Sequence, residues 1–384
     1  MAMKFTLARL PRIEFGAGSL DRLPAIAGRY GRRLLLVTGA RSFAASPAAA
    51  RLFAAFEAAD ITWEHLAVSG EPSPALVDAA VARYRQQPVA AVVGIGGGSA
   101  LDAAKAIAGL LQPGNLVADH LEGVGPELPY RGPATPFIAV PTTAGTGAEA
   151  TRNAVLSQAG PAGYKKSFRD EALVAEWAIV DPDLLASCPP ALIAADGMDA
   201  LTQLLEAYVS LRASPVTDAL ALSGLAAASE ALLPLFGGSD DPELRAKMAY
   251  ASLLSGICLA QAGLGAVHGL AAPLGAFFPI PHGVACGTLL AAATRANLEA
   301  LATREPASPA RAKYETLGRL LGATDLPDFL AGWQERLGLA RLAAYGMTEA
   351  DIPRVVAAGR GSSMKTNPVV LSDTELAAIL AERL

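Results

Sequence analysis

The chain is 384 residues long, 52% hydrophobic and 17% charged, with a net charge of −5. Such a composition builds a large core and argues against a disordered chain; with no basic block, it also argues against nucleic acid or an anionic membrane as partner. Three scattered cysteines, Cys188, Cys258 and Cys286, include no Cys-x-x-Cys and fit a reduced cytoplasmic protein better than a disulfide framework.

Residues 1–7 show no apolar core followed by a cleavage site, so no signal peptide is expected. Residues 4–15 read as a strand or hairpin, and Gly16-Ala-Gly18-Ser19-Leu20 turns it into a helix with Ser19 as cap. Residues 33–38 form a short apolar run before Gly39, the pattern of a buried parallel strand. A helix is expected at 47–59, a short strand at 61–63, an amphipathic helix at 74–87 and a second buried strand at 89–95. Strands alternating with helices imply crossovers and a parallel α/β sheet.

Gly96-Gly97-Gly98-Ser99-Ala-Leu-Asp102 follows that strand and opens a helix. Backbone N–H groups at a glycine-rich helix start suit a pyrophosphate. Ser99 stands where a full Gly-x-Gly-x-x-Gly has its third glycine, so a plain strand-to-helix turn fits equally well. A third strand at 136–140 precedes Pro141-Thr142-Thr143-Ala-Gly145-Thr146-Gly147-Ala-Glu149-Ala-Thr151, which alone reads as a loop and helix start. Residues 177–182 give a last strand and turn.

From residue 184 the character changes. Segments 192–210, 216–235, 242–262, 283–298, 309–321, 326–337 and 373–383 carry helical spacing, and strand-like alternation is absent. The expected organisation is a dinucleotide-binding α/β domain over 1–184 and a helical domain over 185–384. No window of 18 residues is uninterruptedly apolar, so no transmembrane helix is expected. In the helical half, Asp199 and Gln203 are four apart and share a helix face. Two of the chain's four histidines, His268 and His282, each stand beside a glycine. A carboxylate and two imidazoles make a divalent-metal set, with Gln203 as a fourth, oxygen ligand. Without further context, histidines in so apolar a chain are more often core residues than ligands.

Taken together these segments resemble the iron-containing (group III) alcohol dehydrogenases over nearly the whole chain. The resemblance implies a Rossmann-like parallel-sheet domain followed by an all-α domain, the dehydroquinate synthase-like fold of that family. It places Asp199, His268 and His282 on three of the four metal ligands and Gln203 where the fourth, a histidine, is usual. Ala272 takes the position of a histidine near the substrate. On the nucleotide side it implies contacts from Gly97, Gly98, Ser99 and Asp102, from Thr142, Thr143, Thr146 and Thr151, and from Lys165. The position of Gly39 often carries Asp in NAD users; here Gly39, Arg41 and Ser42 present no carboxylate to a 2′-phosphate, which favours NADP over NAD.

The activity implied is reversible hydride transfer between an alcohol and NAD(P), with Fe2+ or Zn2+ as Lewis acid, in a cytoplasmic homodimer acting on a small alcohol or aldehyde. Three alternatives stay open: a metal-independent reductase of the same fold, similar to maleylacetate reductase; a dehydroquinate-synthase-like lyase; and a catalytically inactive cofactor-binding relative.

Overall fold

In a computed structural model the described residues are 4–160 and 163–384; residues 1–3, part of the stretch read for a signal peptide, lie outside them. The strands are β1 (Arg12–Phe15), β2 (Arg33–Gly39), β3 (Thr62–Val68), β4 (Ala91–Gly96), β5 (Phe137–Pro141), β6 (Asn153–Gln158), β7 (Tyr164–Arg169) and β8 (Trp177–Val180). Six of them form a sheet in the order β1-β8-β5-β4-β2-β3, and every described pairing in it is parallel. The middle strands β4, β5 and β8 are buried along their whole length, which is why they read as continuous apolar runs.

Helices α1 (Leu23–Ala27), α2 (Pro47–Ala58), α3 (Pro74–Tyr84) and α4 (Gly98–Leu110) accompany this sheet. The Ser46 and Ser73 hydroxyls cap α2 and α3 by accepting from the amides of Ala49 and Leu76, with proline at the first helical position. Leu52 and Phe56 of α2 share one core with Leu34, Leu36, Val93, Ile95, Ile138 and Ile179 of the sheet. On α4, Leu101 and Ala104 press so closely on β4 that a Cβ at Gly94 would lie 2.8 Å from that of Ala104.

Local readings change in several places. Residues 4–11 carry no strand. Ser19 does not cap its helix; the Asp181 carboxylate accepts from the amides of Gly18 and Leu20 instead. The stretch after the threonine-rich loop is a short turn (Ala148–Ala150) leading into β6, which forms a two-stranded sheet with β7.

The second half is helical: α5 (Pro190–Val209), α6 (Pro215–Phe236), α7 (Pro242–Ala262), α8 (Ala266–Phe277), α9 (His282–Arg304), α10 (Pro309–Leu321), α11 (Leu326–Arg336), α12 (Ile352–Ala358) and α13 (Asp373–Glu382). Among the described residues α6 alone is long and apolar enough by itself to cross a membrane; α7 and α8 pass the same test as a pair bent by 103°. α6 packs against both α5 and α7. The chain divides into two compact units. One is Ala8–Gln158 with Lys165–Cys188; the other is Pro189–Leu384 with, among the described residues, short pieces from 4–7, 159–160 and 163–164.

Within the α/β unit, Lys105 of α4 is fully buried. Its ammonium group donates to the carbonyls of Ala148 and Asn153 at 2.8 and 2.7 Å and to Thr151 Oγ1 at 2.8 Å. All three protons are used; two acceptors belong to the segment that links β5 to β6 and the third, Asn153, is the first residue of β6. Burial lowers the Lys105 pKa to about 8, against the opposing pull of Asp102 and Glu149. Lys105→Met leaves two carbonyls and a hydroxyl without their donor, so a loss of about 3–5 kcal/mol is expected in urea unfolding, with little change in the slope.

Candidate functional site

Three turns of helix in the second unit converge. Asp199, Gln203 and Glu206 lie four and three residues apart on α5, hence on one face, and all three are buried. His268 sits in the first turn of α8, His282 is the first residue of α9, and Cys286 follows it one turn later. One ligand atom from each of Asp199, His268, His282 and Cys286 lies within 4.8 Å of all the others. His268 Nε2 is 3.2 Å from Asp199 Oδ1 and 3.5 Å from Cys286 Sγ. His282 Nε2 is 3.9 Å from Asp199 Oδ1 and 3.7 Å from Cys286 Sγ.

Glycines let these helices approach. A Cβ at Gly283, beside His282, would meet the Ala195 carbonyl of α5 at 2.3 Å. A Cβ at Gly265, at the head of α8, would meet Asn367 Oδ1 and Glu206 Oε1. Those two oxygens are in use: Ala266 donates its amide to Asn367 and Val267 its amide to Glu206. The other Glu206 oxygen lies 2.7 Å from His268 Nδ1. A ring that donates Nδ1–H to a carboxylate turns its Nε2 lone pair inward, the arrangement by which a carboxylate orients a metal-binding histidine.

The electrostatics fit a cation at this point. Burial alone would lower the His268 pKa, but Cys286, Asp199 and Glu206 around it outweigh burial and hold it well above the ordinary value. Burial likewise pushes Asp199 up, yet His282 and His268 prevail and its carboxyl stays below the usual range. Burial pushes the Cys286 thiol up to about 12. The group thus gathers oxygen, nitrogen and sulfur donors around a spot that either a second proton on His268 or a metal ion can neutralise.

Sequence reading placed Asp199, His268 and His282 together and missed two partners. Cys286 carried a signal, since it stands four residues after His282 on a helix. Glu206 closed the same sequence segment, but its role needs a contact across 62 positions of sequence. The Gln203 carboxamide oxygen lies 3.2 Å from the Ser255 hydroxyl of α7.

The nucleotide-side residues lie at the carboxyl ends of neighbouring strands in the first unit. The pairs Thr38↔Ile95 and Gly96↔Pro141 set the ends of β2, β4 and β5 side by side. The sheet extends from β2 to β3 on one side and to β4 on the other, which makes this a switch point, where open α/β sheets bind ligands. At the start of α4, Gly97 offers no side-chain acceptor to the first-turn amides, which suits an incoming phosphate oxygen. Cβ atoms at Gly97 and Gly98 would press on Thr143 and Thr146, so these glycines also serve loop packing. Ser99 lies in the first turn of α4. Thr142 is buried, its amide donating to Gly96.

Three expected contact residues are engaged in the fold itself. Thr151 is buried against Lys105. Asp102, pushed up to about 6 by burial, accepts from the Val155 amide. Lys165 pairs with Glu71 at 3.0 Å. Gly39 ends β2, and Arg41 and Ser42 beyond it are exposed.

Comparison with known proteins agrees across both units. The family profile "Iron-containing alcohol dehydrogenase" matches residues 11–182, and "Fe-containing alcohol dehydrogenase family, C-terminal" matches residues 193–384. Alcohol dehydrogenase 4 of Saccharomyces cerevisiae is 40% identical over 228 residues, covering 59% of this chain and 58% of that one. The match therefore spans less than two thirds of the yeast protein. Long-chain-alcohol dehydrogenase 1 of Geobacillus thermodenitrificans is 37% identical over 289 residues, covering 73% of this chain and 70% of that one. Sulfoacetaldehyde reductase from Bifidobacterium kashiwanohense, solved with NAD+, superposes with a TM-score of 0.87 at 29% identity, covering 100% of this chain and 99% of that one.

Removing the carboxylate that orients His268 tests the geometry directly. Glu206→Gln is expected to weaken metal affinity by about 10–100-fold in competition with a coloured chelator, while far-ultraviolet circular dichroism stays unchanged.

Proposed function

The chain belongs to the iron-containing alcohol dehydrogenase family, and from that premise we propose that it is a metal-dependent alcohol dehydrogenase and aldehyde reductase. It interconverts an alcohol and its carbonyl product with NADP or NAD. The observation that carries this reading is the convergence of Asp199, His268 and His282 from three helices, with Glu206 behind His268. Bound there, a divalent metal supplies Lewis acidity to an alcohol or carbonyl oxygen, and a nicotinamide supplies the hydride acceptor or donor.

The chain's own residues orient and balance charge. Asp199 contributes a buried negative charge, and Glu206 fixes the ring of His268. The open first turn of α4 receives the pyrophosphate, with Thr143 and Thr146 lining the facing loop. Gly39, free of a side chain, together with the exposed Arg41 and Ser42 supports NADP over NAD. Ala272 lies one turn beyond His268 on α8 and offers no polar group, which supports a different or larger substrate than a small diol and a proton route that avoids this position. We place the enzyme in the cytoplasm, supported by three cysteines that form no disulfide, and as a homodimer, supported by the family resemblance.

Protein purified anaerobically without chelator is expected to carry about one equivalent of iron or zinc by elemental mass spectrometry. His268→Ala should lose it, and alcohol-dependent reduction of the nucleotide should fall by about a thousandfold or more, because a Lewis acid contributes several kcal/mol. A metal-free wild type that still turns over would instead establish the metal-independent reductase.

A Cβ at Gly39 meets nothing within 4 Å, so an aspartate fits there. Gly39→Asp is expected to shift the ratio of kcat/KM for NADP over NAD by about tenfold or more toward NAD, through repulsion of the 2′-phosphate.

A further inference from the structure

Resting on the metal-dependent reading above, we propose that Cys286, as thiolate, is the fourth protein ligand of the metal, in place of Gln203, and that the resulting site selects zinc over iron(II). The distances carry this. Tetrahedral coordination with metal–nitrogen and metal–oxygen bonds near 2.0–2.1 Å and a metal–sulfur bond near 2.3 Å places neighbouring donors about 3.3–3.6 Å apart. The contacts of His268 Nε2 with Asp199 and Cys286 are 3.2 and 3.5 Å, and those of His282 Nε2 with Cys286 and Asp199 are 3.7 and 3.9 Å. Four donors from three helices thus outline one coordination polyhedron, and the sulfur forms one of its corners.

Position explains why the sulfur arrives there. His282 and Cys286 are one turn apart at the start of α9, so a helix that presents the imidazole also presents the thiol. Gly287, next in sequence, lets this turn seat against α5: a Cβ there would meet Met198 Cβ at 2.8 Å. Gln203 is the weaker donor by charge, a neutral amide against an anionic sulfur, and its oxygen already meets the Ser255 hydroxyl.

Chemistry then sets the metal. A coordinated thiolate and one carboxylate together balance the charge of a divalent ion. Mixed sulfur and nitrogen donors in tetrahedral array favour zinc, whereas imidazole and carboxylate alone also suit iron(II).

The test uses the full chain stripped with chelator and reloaded with Co2+ as a spectroscopic stand-in, and separately with equimolar Zn2+ and Fe2+ under anaerobic conditions. Wild type is expected to show a sulfur-to-cobalt charge-transfer band in the near ultraviolet and to retain zinc from the mixture. Cys286→Ser should lose the band, which excludes Cys188 and Cys258 as its source; Gln203→Ala should keep both band and stoichiometry. One equivalent of Co2+ without the band in wild type overturns the thiolate ligand and leaves the metal-dependent reading standing. Loss of metal in Gln203→Ala with the band intact in Cys286→Ser overturns it too, and no binding of any of the three ions overturns both. A wild-type spectrum without the band overturns the proposal even if a variant fails to fold.

Discussion

The helical unit turns on one carboxylate. Glu206 accepts the Val267 amide with one oxygen and faces His268 Nδ1 with the other. The first contact satisfies an orphan donor at the head of α8; the second fixes which nitrogen of His268 points at Asp199. Both groups are buried, so neither contact is diluted by water, and neither can be lost without leaving a charge or an amide unsatisfied.

The α/β unit uses the same device with the opposite sign. Lys105 gives its three ammonium protons to Ala148 and Thr151, between β5 and β6, and to Asn153 at the start of β6, and so ties the glycine-rich helix to the end of the threonine-rich loop. Nearby, burial raises Glu149 to about 7 and Asp102 to about 6. A buried charge is tolerated in both units because its partners are complete, and the reward is a defined backbone path rather than added stability.

How much of this was readable in the chain depended on how local the cause was. β4 and β5 declared themselves because burial on both faces demands an unbroken apolar run. β6 and β7, reading NAVLSQ and YKKSFR, did not: they are short, half-exposed and polar. α8 escaped as a helix because Gly269 and Pro273 interrupt its pattern, although its histidine was singled out. Cys286 was counted among cysteines rather than placed one turn from His282. Glu206 and Lys105 could not have been assigned at all, since their partners lie 62 and 43–48 positions away and only the fold brings them close.

The donor set of the centre lies wholly within one compact unit and the nucleotide loops wholly within the other. Each is therefore built from contacts within its own unit. Gln203 and Cys286 belong to the helical unit, and none of the hydrogen bonds described for the glycine and threonine loops involves them. The two halves can therefore be varied in independent libraries, one over the helical donors and one over the glycine and threonine loops.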